Sequence, residues 1–379
     1  MRHHGELKYP SCKPTRLKRS ATMSILFQFE HSEYAIRSLL ESFDPSVYAS
    51  LAFLFGIAAQ FRAMNGYSLL RKILSSLGSK VGLLYAVVFV SAIFSPLILN
   101  DVVILILSPV LVKYSRDFKV DAAPLIVAEI TYTNIGSSLT PFGNPQNILL
   151  WEKSGLSAQE FVRLTWMPIV VSALVTALVL YPLNKKVGAP KGLEGKGWSL
   201  GSAVYLVLVG IIIFSFSFLG VSDVLSLGIS FFAGFAFNRR RLRKIRGEFD
   251  AKSLLILYLL IASVTVASIV LRPLITPYAE LAVLGNQPLA GSLVALLSNV
   301  ISNVPATQFF LTVTNVPPRL APVIAVEAGL AGNIDPIGSL ANLLALSIAK
   351  QGGLAIKRIV VLQLFIGTIS FLPALLGLA

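Results

Sequence analysis

The sequence predicts an all-α polytopic membrane protein. Hydrophobic residues make up 55% of its 379 residues and charged residues only 13%, and the mean hydropathy is +0.76. Globular domains typically carry about 25% charged residues. Long apolar runs alternate with short basic loops, and polar breaks rich in proline, glycine and asparagine interrupt two of these runs in a repeated pattern. These three observations together favour membrane-spanning helices, some of which are discontinuous.

The strong positive charge does not indicate nucleic-acid binding. The net charge of +14 comes from basic residues that lie in short loops between apolar runs, as the positive-inside rule expects. The single Cys12 and the three histidines, His3, His4 and His31, all lie near the N-terminus. We therefore expect no disulfide framework within one chain and no metal site. The apolar runs predict a multi-pass protein of the plasma membrane.

The chain divides into four predicted regions. Residues 1–45 are expected to form a polar cytoplasmic tail, and residues 46–184 a first transporter repeat. Residues 185–252 are expected to form a basic linker and a connecting helical pair, and residues 253–379 a second, inverted repeat. The loop after the first apolar run carries Arg62, Arg71, Lys72 and Lys80, so we expect it to be cytoplasmic. The densest basic run, residues 239–246, is interpreted as a topology anchor near anionic lipid, with a regulatory or partner-binding role as the alternative.

Two polar breaks share one pattern. The first contains Pro141-Phe142-Gly143 with Asn147 four residues after the glycine, and the second contains Pro336-Ile337-Gly338 with Asn342 at the same distance. Proline cannot continue a helical hydrogen-bond ladder and glycine relaxes the backbone. Broken backbone at membrane depth is tolerated only where it is buried in protein or lines a cavity. We therefore expect two broken transmembrane helices around a shared site.

A polar hairpin tip precedes each break. The first tip, at Asn100 and Asp101, has basic loops on both sides, so its hairpin is expected to open to the cytoplasm. The second tip, between Asn299 and Asn303, is followed by a turn with only Arg319, so it is expected to open to the outside. The two halves are thus predicted to form an inverted repeat with two re-entrant hairpins.

These motifs carry a family resemblance. The stretches Asn134–Asn147 and Asp335–Leu344 resemble the paired signatures of the ion transporter superfamily, and the hairpin tips resemble those of its arsenite-pump/NhaD-type antiporter group, which shares a citrate-transporter-like domain. The resemblance runs from about Val47 to the C-terminus. It implies secondary transport of arsenite, sodium and protons, silicate, or di- and tricarboxylates, and it does not choose among these cargoes.

The residue types at the breaks and tips indicate how cargo would be bound. Free amides and the partial positive charge of half-helix N-termini suit an anion, and free carbonyls suit Na⁺. No cysteine is available at membrane depth, so arsenite would be recognised by hydrogen bonds. The predicted substrate-binding residues are Asn100, Asn134, Gly136, Ser137, Ser138, Thr140, Gly143, Asn147, Asn299, Asn303, Asn333, Gly338, Ser339 and Asn342.

Four acidic residues are predicted at membrane depth, where carboxyl groups typically mark ion or proton pathways. Asp101 and Asp335 adjoin the motifs, and we interpret them as coupling residues for H⁺ or Na⁺, with a structural cap as the alternative. Glu129 and Glu327 precede the breaks by similar distances, and for them proton carriage and structural pairing both stay open. No other cofactor is expected.

The functional hypothesis is a gradient-driven secondary transporter, not an enzyme, that exports arsenite or antimonite. A Na⁺/H⁺ antiporter or a Na⁺-coupled citrate-like transporter is the alternative. Two further alternatives are less favoured. Asp101 and Asp335 could form the dyad of an intramembrane protease, but a protease does not need an inverted repeat. The protein could also be a passive channel, but channels usually use symmetric rings of carbonyls or charges and not one enclosed site in the middle of the membrane. No phosphate-binding loop for ATP occurs in the sequence, so the energy would come from an ion gradient or from a separate ATPase subunit. A second copy of the chain is the other protein partner predicted.

Overall fold

The computed structural model describes residues 45–190, 200–218, 221–285 and 287–375. Within these residues the chain forms sixteen α-helices, one 3-10 helix and no strand. The tail predicted over residues 1–45, apart from Pro45, and part of the predicted linker lie outside the described residues. The helices are α1 (Pro45–Ala63), α2 (Gly66–Val81), α3 (Leu83–Ile98), α4 (Asn100–Phe118), α5 (Ala122–Ser137), α6 (Pro145–Ser154), α7 (Ala158–Val187), α8 (Leu200–Phe218), α9 (Asp223–Asn238), α10 (Leu242–Glu248), α11 (Ala251–Gly285), α12 (Gln287–Ile301), α13 (Asn303–Val313), α14 (Leu320–Ala331), α15 (Leu340–Gln351) and α16 (Ile356–Leu375).

The helix lengths agree with a multi-pass membrane protein. Among the described residues, α1, α7 and α16 are long and apolar enough to cross a membrane by themselves. Helix α7 leaves Leu174 and Leu178 62% and 75% exposed, which suits contact with lipid better than contact with water. The apolar runs Leu83–Leu97, Leu289–Ile301 and Leu320–Ala331 lie in shorter helices, because turns or breaks interrupt the chain after them.

Helix α2 corrects one expectation from the sequence. We predicted a cytoplasmic loop after the first apolar run, but Gly66–Val81 is helical. Leu70 and Leu74, spaced four residues apart, lie on one face and are buried, whereas Lys72 and Lys80 are exposed. This spacing is that of an amphipathic helix, and the basic residues obscured it.

Each predicted hairpin turns at one strained residue. Leu99, between α3 and α4, has φ 69° and ψ 140°, and Ser302, between α12 and α13, has φ 74° and ψ 155°. This region of backbone conformation is used almost only by glycine and costs about 1 to 3 kcal/mol for other residues. The first residue after each turn, Asn100 or Asn303, is held by a backbone hydrogen bond to a break.

The two halves pack in corresponding ways. The first arm of each hairpin packs along the helix that precedes the break of the same half, α3 on α5 and α12 on α14. The second arm crosses to the other half, so that α4 packs on α15 and α13 packs on α6. Each break is therefore enclosed by elements of both halves.

The basic run at residues 239–246 forms the 3-10 helix Arg239–Arg241 and much of α10, next to the end of α1. Arg241 donates a hydrogen bond to the carbonyl of Ala63. The buried Arg62 donates to the carbonyl of Glu248 and lies 4.0 Å from its carboxylate. Arg241, at least, thus contacts the end of α1 within the protein.

Close packing of α5 against α3 gives a test of the fold. A Cβ atom at Gly136 would lie 2.5 Å from both the Ala92 carbonyl oxygen and Ser95 Oγ, whereas one at Gly210 in α8 would meet nothing. Alanine in a helix is normally more stable than glycine, by about 1 kcal/mol. We expect Gly136→Ala instead to lower the free energy of unfolding by about 1 to 3 kcal/mol, because of overpacking. Thermal unfolding of purified protein would measure this, with Gly210→Ala as the control. Equal stability of the two variants would contradict the packing described.

Candidate functional site

The first break is held together by side-chain amides that bind its free backbone groups. Asn147 Nδ2 donates to the carbonyls of Ser137 and Thr140, at 3.0 and 2.8 Å. The backbone amide of Asn100, at the hairpin tip, donates to the Gly143 carbonyl at 2.9 Å. The hairpin tip and the break are thus one hydrogen-bonded unit.

The second break has the same arrangement. Asn342 Nδ2 donates to the carbonyls of Gly332 and Asp335, at 2.5 and 2.9 Å. The backbone amide of Asn303 donates to the Gly338 carbonyl at 3.1 Å. Every break residue in these bonds lies 195 positions after its counterpart, since 342 − 147, 332 − 137, 335 − 140 and 338 − 143 all equal 195. The repeated sequence pattern therefore corresponds to a repeated structure.

Asn134 joins the two breaks. Its Nδ2 donates to Asn333 Oδ1 and to Asn342 Oδ1, both at 3.0 Å, and its Oδ1 accepts from Asn100 Nδ2 at 3.3 Å. Asn333 Nδ2 in turn donates to Ser370 Oγ of α16 at 3.0 Å. These four asparagines are all buried. Four of the seven predicted asparagines, from both halves, thus meet in one network, the amide cluster.

The predicted hydroxyl groups of the first break are engaged by nearby carbonyls. Ser137 and Ser138 donate to the carbonyl of Asn134, and Thr140 donates to that of Pro96 at 2.7 Å. Gly143 is required by close approach, because a Cβ there would lie 2.2 Å from the Ser137 carbonyl oxygen. The remaining predicted residue of the second break, Ser339, is buried just before α15. These residues shape the breaks.

A second set of buried polar atoms has no hydrogen-bond partner among the described residues. In the first break it comprises both side-chain atoms of Asn144, Gln146 Oε1 and Asn147 Oδ1. In the second hairpin it comprises Asn299 Oδ1 and Asn303 Nδ2. Buried polar groups in proteins are nearly always paired, so such atoms mark a place where a ligand or ion can bind. Asn299 and Asn303 were predicted from the sequence, whereas Asn144 and Gln146 were not, although both lie inside the first motif.

Four helix N-termini lie at the two breaks. Helices α4 and α6 begin beside the first break, at Asn100 and Pro145, and α13 and α15 begin beside the second, at Asn303 and Leu340. A helix N-terminus carries a partial charge of roughly +0.5. The amide cluster connects the two groups of N-termini, whose partial charges favour an anion, and no basic side chain is hydrogen-bonded to it among the described residues. The carboxyl groups of Asp101 and Asp335 lie at the same N-termini and oppose part of this effect.

The two predicted coupling aspartates differ in environment. Asp101 is buried in the first turn of α4, within electrostatic range of Asp250 just before α11. Asp335 is half-buried, and its Oδ1 accepts hydrogen bonds from the amides of Ile337 and Gly338 at 2.7 and 2.8 Å. These two bonds fit the structural-cap alternative for Asp335. No hydrogen bond between Asp101 and Asp335 occurs in the described part of the chain.

Glu129 and Glu327 lie apart from the amide cluster, each beside a serine of a hairpin. Ser108 is on α4 and Glu129 is on α5. Ser108 Oγ lies 2.9 and 2.8 Å from the two carboxyl oxygens of Glu129. Ser292 Oγ of α12 lies 3.3 Å from Glu327 Oε2, and Gly291 leaves room for that carboxyl group. Both glutamates are buried. Each links a helix that precedes a break to one arm of a hairpin.

The two glutamates do not occupy equivalent positions, although their distances from the breaks are similar. The register of 195 pairs Glu327 with Tyr132 and Glu129 with Ile324. Tyr132 donates its hydroxyl to the carbonyl of Ala173 in α7. The two glutamates therefore do not follow the internal repeat that relates Asn147 to Asn342.

The broken helices, the buried amide cluster and the lipid-facing apolar helices define a polytopic membrane transporter. Comparison with known proteins agrees. The pattern of the citrate transporter family matches residues 20–314, and the chain belongs to this family.

Several relatives are membrane proteins or transporters by name. Inner membrane protein YbiR of Escherichia coli (strain K12) is 32% identical over 298 residues, which are 74% of this chain and 73% of YbiR. An uncharacterized transporter of Mycobacterium tuberculosis (strain CDC 1551 / Oshkosh) is 24% identical over 300 residues, 71% of this chain and 70% of the relative. A Dictyostelium discoideum protein named as the transporter arsB is 29% identical over 100 residues, 26% of this chain and 18% of arsB.

The bridging role of Asn134 can be tested by stability. Asn134→Ala removes the donors to Asn333 and Asn342 and leaves their buried oxygens unpaired, so we expect the free energy of unfolding to fall by about 1 to 3 kcal/mol. Thr133→Val is the matched control. Thr133 Oγ1 is buried and has no hydrogen-bond partner among the described residues, so we expect this substitution to be neutral. Both would be measured by unfolding in detergent. If the alanine variant were as stable as the valine variant, the two breaks would not be held together as described.

Proposed function

We propose that the protein is a secondary active transporter that exports arsenite or antimonite, driven by an ion gradient. The observation that carries the proposal is the amide cluster together with the buried, unpaired atoms of Asn144, Asn147 and Asn303 at the breaks. Among the described residues no basic side chain is hydrogen-bonded to the cluster. Arsenite at neutral pH is a small hydroxide, As(OH)₃, which both donates and accepts hydrogen bonds. Amide groups can do the same in return.

The proposed architecture is an inverted repeat with two re-entrant hairpins and two broken transmembrane helices. Three features support it: the constant register of 195 between the breaks, the strained turns at Leu99 and Ser302, and the exchange of hairpin arms between halves. Transporters with such repeats place substrate between the halves near the middle of the bilayer. Alternating access would then expose one enclosed site to each side in turn.

The positive potential of the four helix N-termini supports a small anion as a wider description of the cargo. The first amides of α4 and α13 are already bonded within the protein, so the dipoles of these helices would attract the oxygen atoms of an oxyanion or hydroxide. Citrate carries up to three negative charges, and the described residues bring no arginine, lysine or histidine to the amide cluster by a hydrogen bond. This favours arsenite or antimonite over a tricarboxylate.

The family itself favours a second candidate. The citrate transporter pattern covers far more of this chain than the match to arsB does. A Na⁺-coupled di- or tricarboxylate transporter, or a Na⁺/H⁺ antiporter, is therefore the alternative proposal. In the first case bound Na⁺ ions would supply positive charge that the side chains do not.

For coupling we propose Asp101, with Glu129 and Glu327 as further carriers of H⁺ or Na⁺. Asp101 adjoins the hairpin tip, and each glutamate joins a hairpin arm to a helix that precedes a break. A change of charge at these positions would therefore act on the elements that enclose the cargo. The double amide contact of Asp335 Oδ1 supports instead a capping role for Asp335 at the second break.

Export of arsenite and antimonite from cells that lack their own arsenite pump would test cargo and coupling together. We expect export that an uncoupler abolishes, loss of at least 90% of it in Asp101→Asn, and near wild-type export in Asp335→Asn. Asparagine keeps the Oδ1 acceptor at position 335, whereas Asp335→Ala removes it and should lower stability by about 1 to 3 kcal/mol.

The outcomes separate the alternatives. Loss of export in both asparagine variants, with normal amounts in the membrane, would restore a coupling role for Asp335. Absence of export from well-inserted wild-type protein would overturn the arsenite proposal, and uptake of radiolabelled citrate and Na⁺-dependent proton flux would then decide between the other two cargoes.

The unpaired amide of Asn144 yields a separate test of the cargo site. Because its side chain makes no hydrogen bond among the described residues, Asn144→Ala should leave the melting temperature within about 2 °C of wild type and still reduce transport at least tenfold. Asn238→Ala is the matched control, because Asn238 is also buried with an unpaired Nδ2 but ends α9, away from the breaks. Unchanged transport in Asn144→Ala, or equal loss in both variants, would contradict the site assignment.

A further inference from the structure

A recess lies between α2 and α4, at the opposite end of α4 from the amide cluster. It is a groove of about 330 Å³, and its polar lining comprises Tyr67 and Arg71 on α2 and Lys113, Tyr114 and Asp117 on α4. Lys113 is thirteen residues from Asn100, which corresponds to about 20 Å along the helix. The groove is therefore separate from the proposed cargo site.

Two cations face this groove without a fixed partner. Neither Arg71 nor Lys113 forms a hydrogen bond or an ion pair within the part of the chain that the structure describes, and Arg71 Nε is buried. Asp117 also lines the groove, so the charged lining sums to +1 from two cations and one carboxylate. A buried, unpaired guanidinium nitrogen is costly, and guanidinium groups match phosphate geometry well.

The rest of the lining suits a ligand with a polar end and an apolar end. The rings of Tyr114 and Phe118 lie 4.9 Å apart, and Pro109 and Val110 extend the apolar wall towards the middle of α4. Burial raises the pKa of Tyr67, while Arg62 lowers it and Glu248 raises it. The Tyr67 hydroxyl thus stays protonated at neutral pH and can donate a hydrogen bond.

The position of α2 favours a lipid. This helix is amphipathic, with a leucine face on the protein and lysines outside, as in helices that lie along a membrane surface. Clusters of basic residues in such helices attract anionic headgroups. Its neighbour α4 is one arm of the first hairpin, so a ligand between them would contact an element of the transport machinery.

We propose that the groove between α2 and α4 binds the phosphate group of an anionic phospholipid through Arg71 and Lys113. The phosphate lies between the two cations, the Tyr67 hydroxyl donates to it, and the glycerol and upper acyl carbons pack on Phe118 and Val110. A soluble phosphate would use the same cations, so the experiment has to distinguish the two sources.

The test uses full-length protein purified in a neutral detergent, with phosphatidylglycerol, phosphatidylcholine and inorganic phosphate as separate probes. Binding is followed by native mass spectrometry and by the shift in melting temperature that a ligand of the folded state produces. The double variant Arg71→Gln/Lys113→Gln removes both cations. The control Lys80→Gln/Arg116→Gln removes the same charge from exposed positions on the same two helices.

We expect wild type and the control to retain phosphatidylglycerol in preference to phosphatidylcholine, and the double variant to bind it about tenfold more weakly. Displacement by millimolar inorganic phosphate would identify a soluble phosphate as the natural source while keeping the site. The proposal would be overturned if all three proteins bound phosphatidylglycerol equally. It would also be overturned if wild-type protein bound neither phosphatidylglycerol nor inorganic phosphate. If the double variant does not fold, Lys113→Gln alone, at an exposed side chain, decides the question with a smaller expected loss of about threefold.

Discussion

The structure depends on satisfying backbone carbonyls where two membrane helices break. Lipid offers no hydrogen bonds, so a broken helix is stable only when the protein itself binds the freed groups. Asn147 and Asn342 do this in the same way, each with one amide nitrogen shared between two carbonyls. The hairpin tips then bind the glycine carbonyls of the breaks, so each hairpin is positioned by the break that it faces.

The bridge between the halves is less symmetric than the breaks themselves. Asn134 contacts both asparagines of the second break, but its counterpart in the register of 195 is Gly329, which packs against Ser138. Asn134 thus bonds the asparagines of the second break through a side chain that has no equivalent in the other half. Because its bonds are buried, we expect the two breaks to move as one body during transport. A change of access would then occur where this body meets the surrounding helices, such as α1, which packs on α6, and α7, which packs on α14.

Sequence reasoning predicted the parts of the structure that depend on local pattern. The Pro-x-Gly motif with an asparagine four residues later predicted both breaks, and the polar tips predicted both hairpin turns, because helix-breaking residues act where they stand. It could not predict the contacts that depend on how separate helices approach one another. Examples are the unpaired state of Asn144, the pairing of Glu129 with Ser108, and the double amide contact of Asp335. The amphipathic helix α2 was not predicted, because its basic residues were interpreted only by the positive-inside rule, as a sign of a cytoplasmic loop.

The amide cluster also explains how one site can be both stable and able to bind cargo. Asn134, Asn333 and Asn342 use their polar atoms on each other and on the backbone, so they are poorly available to a ligand. Asn144 and Asn303 keep polar atoms unpaired at the starts of α6 and α13, where helix dipoles add positive potential. The fold thus separates amides that hold the breaks from amides that can face a ligand. Cargo specificity is therefore expected to follow the second group, and changes there should alter selectivity at little cost to stability.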